Sequence, residues 1–217
     1  MSAIAFVSQA SVLRASVVLS LDIPINGDNV QVVDGSKPAL TATFTDLSQD
    51  KVQLVLDATN LNTHNFLDDW VLNSDVDATT LTFSYTTSSI DQVLKSSSQS
   101  LNGGQNMKAG LFNIDIHFFT AGNKDRFYGG ETIEILIEGA GLTESSFLKT
   151  SIASGNVSGG WYSAAHVQGI QLPGGGTGSG SIGAMTTVQP VPEPSTMVLS
   201  LVGAGLLGLR LVRRRRA

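Results

Sequence analysis

Apolar and polar residues alternate with a period of two along much of the chain. Leu40, Ala42 and Phe44 alternate with Thr41, Thr43 and Thr45, and Val52, Leu54, Leu56 and Ala58 with Gln53, Val55 and Asp57. The same pattern returns at Leu81, Phe83 and Tyr85, at Ile114, Ile116 and Phe118, and at Ile133, Ile135 and Ile137. Successive side chains of a strand point to opposite faces, so each run predicts a strand with one buried and one wet face. Turn residues separate the runs: Asn26-Gly27-Asp28, Asp34-Gly35, Asn102-Gly103-Gly104, Gly129-Gly130 and Gly139-Ala140-Gly141. No long helical period intervenes, which disfavours parallel βαβ folding. The pattern predicts an all-β domain, an antiparallel β-sandwich of jelly-roll-like kind. One short helical turn is expected between Thr143 and Lys149. No repeat of solenoid or propeller length is visible.

The pattern changes at both ends. Residues 1–21, MSAIAFVSQASVLRASVVLSL, are apolar, lack a positive leading region and are interrupted by Arg14. They read either as an incomplete signal-like segment or, over Ala15 to Leu21, as a first strand. The β-domain is expected over 22–172. Residues 173–190, PGGGTGSGSIGAMTTVQP, have no period and predict a flexible Gly/Ser-rich linker. Pro192 and Pro194 then hold the chain extended, because each fixes its own φ and restricts the residue before it. From Thr196 to Leu209 the chain is uncharged and mostly apolar. As a helix this stretch would be about 21 Å long. Arg210 can snorkel and extend the apolar span toward Val212, which predicts a transmembrane helix over 196–212. Arg210, Arg213, Arg214, Arg215 and Arg216 would act as the stop-transfer cluster, held on the cytoplasmic side with the body outside.

Composition narrows the chemistry. The 217 residues include no cysteine, so disulfides, zinc–thiolate sites, iron–sulfur centres and thiol catalysis are excluded. Charged residues are 14%, against roughly 25% in ordinary soluble domains. The net charge of −5 conceals a polarity: residues 1–190 carry −9 and the remaining 27 carry +4. Such asymmetry points to a membrane or targeting element, and the scarcity of lysine argues against nucleic acid as a partner.

The order Val191-Pro192-Glu193-Pro194-Ser195, a short Gly/Ala/Leu-rich segment and a terminal arginine run resembles the PEP-CTERM sorting signal over residues 191–217. The resemblance implies export, transient anchoring in the inner membrane, and processing by the membrane enzyme exosortase near the Pro-Glu-Pro element. It implies final placement at the cell surface or in the extracellular matrix. Many carriers come from bacteria that make extracellular polysaccharide, which becomes a candidate partner. The body is similar to bodies of other exported PEP-CTERM proteins at LTATFTDLSQDKVQLVLDATNL, DRFYGGETIEILIEGAGLTESSF and WYSAAHVQGI. That likeness carries no activity.

Candidate chemistry in the body is sparse. Two G-x-G-x-x-G matches, Gly178-Gly180-Gly183 and Gly203-Gly205-Gly208, lack the βαβ context that a dinucleotide site requires. His64, His117 and His166 are far apart in sequence, and no metal motif links them. The strongest candidate ligand face is Asn113, Asp115 and His117, on one side of a strand, with Glu134 and Glu138 on a strand expected nearby. Carboxylates and an imidazole on such a face suit sugar hydroxyls or a cation, and a close carboxylate pair suits glycoside hydrolysis. A solvated sheet face explains the same residues without a ligand. Asp68, Asp69, Asp75 and Asp77 are the candidate calcium ligands, without EF-hand spacing. Trp70, Trp161 and Tyr162 are placed either as core anchors or as stacking platforms. The leading expectation is a non-enzymatic exported protein with no resident cofactor. A calcium-assisted glycan-binding module is the alternative, followed by a glycoside hydrolase-like enzyme.

Overall fold

The structure, a computed structural model, describes residues 16–25, 38–88, 96–98, 107–121 and 126–185. The strands in chain order are β1 (Ser16–Leu21), β2 (Ile23–Pro24), β3 (Leu40–Ser48), β4 (Lys51–Asp57), β5 (Phe66–Leu72) and β6 (Thr82–Ser88). They continue with β7 (Ser96–Ser98), β8 (Ile114–His117), β9 (Phe127–Tyr128), β10 (Thr132–Glu138), β11 (Ser163–Gln171) and β12 (Thr177–Ala184). Two antiparallel sheets result, in the order β1-β3-β4-β10-β6 and the order β2-β12-β11-β5-β8-β7, with β9 pairing β5 beyond the end of β8. The all-β expectation therefore holds.

The first sheet follows the alternation rule closely. In β1, β4 and β10, and in β3 as far as Phe44, every second residue is buried. Val17, Leu19, Phe44, Leu54, Leu56, Ile135 and Ile137 share one core cluster with Leu67, Trp70, Leu72, Ile114, Ile116, Val167 and Ile182 of the second sheet. Burying these side chains, at about 1.5–3 kcal/mol for each large one, is what holds the sheets together. Phe147, in the 3-10 turn Glu144–Phe147, stacks on Phe44 with centroids 4.1 Å apart. This turn occupies the stretch where a short helical turn is expected.

The second sheet is buried on both faces over part of its area, so its strands show less alternation. Its outer face carries a smaller apolar cluster of Ile25, Val71, Met107, Ala109, Phe112, Trp161 and Ala164. The chain passes from the first sheet to the second at Asp22, and β2 then pairs Pro24 with Ile182 and Ile23 with Gly183.

The linker expected over 173–190 needs correction over residues 173–185; residues 186–190 lie outside the described residues. Gly174, Gly175 and Gly176 form the turn of a hairpin, with φ of 97°, 96° and 86°, and Leu172 N–H donates to the Gly176 carbonyl at 3.2 Å. Residues 177–184 return as β12, paired with β11 along its length. The glycines that look flexible in sequence include one that fits a ring. A Cβ at Gly183 would lie 2.5 Å from Cε3 of Trp161, so the strand can pass beneath the indole only without a side chain. Gly178, Gly180 and Gly183 thus belong to a strand rather than a phosphate loop.

At the start of the chain, β1 is the strand form of the two readings for residues 16–21. Residues 1–15, the predicted membrane helix over 196–212 and the arginine cluster lie outside the described residues. Among the described residues no helix is long and apolar enough to cross a membrane.

Candidate functional site

Strand β5, FLDDWVL, is an apolar run broken by two adjacent acids. In a regular strand one of them would face the core. A bulge avoids this. Pairing with β11 runs from His166↔Asp69 to Val167↔Leu67, which leaves Asp68 as the extra residue. A bulge re-aims the inserted side chain, and both carboxylates remain partly solvated, with side chains 18% and 23% exposed.

Asp69 is flanked by two histidines. His166 of β11 lies opposite it on one side and His117 of β8 on the other. Directly paired residues share a face and touch. His117 Nδ1 contacts Asp69 Oδ1, and its Nε2 lies 3.3 Å from Asp115 Oδ2. His166 Nδ1 lies 2.8 and 3.0 Å from the two carboxylate oxygens of Asp68, which also accepts from Gln168 Nε2. Two groups of donor atoms, each mutually within 4.8 Å, follow: Asp68, Asp69 and His166, and Asp69, Asp115 and His117.

Asp115 is the buried member. It pairs with Val71, which belongs to the outer apolar cluster, and it is only 3% exposed. Its Oδ1 has no hydrogen-bond partner. Burial pushes its carboxyl up to about 6; the His117 ring opposes this, and the charges of Asp69 and Asp68 add to it. Asp69 is also raised, by burial first and then by Asp68, against the pull of His117. In Asp68 burial acts upward, but the hydrogen bonds and charge of His166, with the bond from Gln168, leave it below its ordinary value.

The predicted site residues separate into several places. Asp115 and His117 share the outer face of β8. Asn113 is engaged elsewhere. Its Oδ1 accepts Ser74 N–H at 2.9 Å, its Nδ2 donates to the Ser74 carbonyl at 2.8 Å, and its own N–H donates to Asn73 Oδ1 at 3.0 Å. It is a buried clamp between the ends of β5 and β8. Glu134 and Glu138 lie on β10 in the other sheet, where Gln53 Nε2 donates to Glu134 at 3.1 Å and Lys51 pairs with Glu138. The structure does not bring them to Asp115 and His117, because β10 pairs with β4 and β6 instead.

The four expected calcium ligands do not converge either. Asp68 and Asp69 stand on β5, whereas Asp75 is exposed in the loop beyond it. Asp77 Oδ1 accepts from Thr79 N–H at 3.0 Å and from its hydroxyl at 2.8 Å, capping the 3-10 turn Ala78–Thr80. That turn bond holds its carboxyl below the ordinary value. Trp70 is fully buried and Trp161 is 8% exposed, so both are core anchors. Tyr162 packs half-buried against the main core.

Sequence reasoning misses the grouping of Asp68, Asp69 and His166 with Asp115 and His117. The available signals are the acid pair inside an apolar strand and the single imidazole at the middle of SAAHVQGIQ. Neither says which strands are neighbours.

Comparison with known families gives one further finding. The model of the PEP-CTERM protein-sorting motif matches residues 190–216, so the chain carries that motif, in the span where its resemblance is read. No curated protein and no solved structure matches the chain.

Proposed function

We propose that the chain is a non-enzymatic exosortase substrate, a β-sandwich body delivered to the cell surface or extracellular matrix by its C-terminal signal. The observation that carries this reading is the sorting motif over residues 190–216, downstream of an all-β body. In this reading Val191, Pro192, Glu193, Pro194 and Ser195 form the extended element that exosortase recognises and near which it cuts. Residues 196–212 hold the precursor in the inner membrane. Arg210 and Arg213 to Arg216 stay cytoplasmic, since moving that much positive charge through the bilayer is costly. Cutting near Pro192 separates an acidic body, about −9, from a basic anchor. An acidic, cysteine-free body with a wet Thr-rich face on β3 remains soluble after release without needing an oxidising compartment to fold.

The test is fractionation of cells expressing the chain with an epitope in the body, with and without exosortase. The triple variant Pro192→Ala, Glu193→Ala, Pro194→Ala is run beside the parent. The expected result is shortened body at the surface or in the medium for the parent, and full-length chain in the membrane for the variant and the exosortase-free strain. Body found in the cytosol of both strains overturns the reading.

A further inference from the structure

We propose that Asp69, Asp115 and His117 bind a divalent transition-metal ion on the outer face of β5 and β8, with Asp68 and His166 adjoining as further donors. Three features of the cluster lead there. First, its charges do not balance internally. Three carboxylates meet two imidazoles, so with the carboxylates ionised the group keeps a net negative charge even when both rings are protonated.

Second, both nitrogens of His117 face carboxylate oxygens, Nδ1 toward Asp69 and Nε2 toward Asp115. A neutral imidazole has one N–H and one lone pair. One of the two contacts then sets a lone pair against an anionic oxygen, and either a further proton on the ring or on Asp115 or a metal cation in that place relieves it. The 3.3 Å between His117 Nε2 and Asp115 Oδ2 suits an ion. It matches the roughly 3.3–3.4 Å between two donors on a tetrahedral ion with bonds of about 2.0–2.1 Å.

Third, Asp115 is 3% exposed, and its Oδ1 has no hydrogen-bond partner. Buried acceptors are satisfied in nearly all folded proteins, and an orphan oxygen on a carboxylate that converges with Asp69 and His117 points to a missing cation. This buried side chain distinguishes the cluster from a patch of solvated acids. Imidazole and carboxylate donors without thiolate suit zinc, manganese, cobalt or iron, whereas calcium and magnesium prefer oxygen alone. An ion here would tie β8 to β5, and through Asp68 and His166 to β11, adding a cross-strand link to an exported protein that has no cysteine for disulfides.

The experiment uses the full chain in detergent, free of any histidine tag and stripped with chelator. Zinc, cobalt and calcium are added separately, and bound metal and Tm are measured. One zinc or cobalt per chain is expected, with visible cobalt bands of nitrogen–oxygen ligation. Zinc at a hundredfold excess over its Kd should raise Tm by about 5–10 °C. Asp115→Asn and His117→Gln should weaken zinc binding at least about tenfold, while His64→Gln, an exposed imidazole outside the cluster, should leave it unchanged. Folding of each variant is checked by circular dichroism, and the cobalt spectrum of the parent stands without them. Absence of bound zinc and cobalt, retention of binding in both cluster variants, or stabilisation by calcium alone overturns the proposal.

Discussion

Ser163→Ala probes how β11 is fastened to β5, the strands that carry His166 and the Asp68–Asp69 pair. The Ser163 hydroxyl is fully buried, accepts from Trp70 Nε1–H at 2.9 Å and donates to the Val71 carbonyl at 2.9 Å. Alanine removes both bonds and leaves the indole N–H without this partner in a dry core. An orphaned buried donor costs about 1–3 kcal/mol, so the variant should lose about 2 kcal/mol. At roughly 2–4 °C per kcal/mol for a chain of this size, Tm should fall by about 4–8 °C. The informative assay is a double-mutant cycle with Trp70→Phe, measured by urea unfolding followed in the far ultraviolet. Trp70→Phe carries its own cavity cost, but in that background no indole is left to orphan. Ser163→Ala should then cost under about 1 kcal/mol, because removing both partners of a hydrogen bond is cheaper than removing one. Equal costs in the two backgrounds would show that the indole bond contributes nothing and would refute the reasoning.

Two further outcomes follow from other parts of the fold. A hydrogen bond with the Asp46 carboxyl, with burial and the Asp46 charge, pushes Glu144 up to about 7. The folded protein then holds more protons than the unfolded chain between the ordinary value of 4.5 and about 7, and this pair's contribution to stability falls as pH rises through that window. Glu144→Gln should therefore gain stability over the parent progressively from pH 5 to 7.5 in thermal melts; a difference that stays constant with pH counts against the shared-proton pair. Gly183→Ala places a methyl 2.5 Å from the Trp161 ring and should cost about 1–3 kcal/mol. Gly178→Ala meets the side chain of the half-exposed Leu172 at 3.1 Å and should cost less in the same melts; the reverse order would sink the steric account of β12.

The fold class is written in the local pattern. Strands β3, β4 and β10 lie where the period-two runs predict them, because alternation reports burial of one face and needs no knowledge of the partner strand. The tail is legible for a different reason: a sorting signal is recognised as a short extended stretch, an apolar stretch and a charge run, all local in sequence.

What only the tertiary structure decides is which of these local features meet. Asp115 and His117 are grouped correctly by their own strand, but their companions are set by pairing. β5 and β11, from either side of the β8 stretch in sequence, supply Asp68, Asp69 and His166, while β10, with Glu134 and Glu138, goes to the other sheet. A bulge then turns Asp68 away from the core, and a bulge is a property of two strands rather than one. The glycines of residues 173–184 make the same point. Their composition signals flexibility, yet Gly183 lies under Trp161, 22 residues earlier, and Gly174 to Gly176 close a hairpin. A missing side chain means freedom or close packing according to what stands opposite, and that neighbour is chosen by the fold.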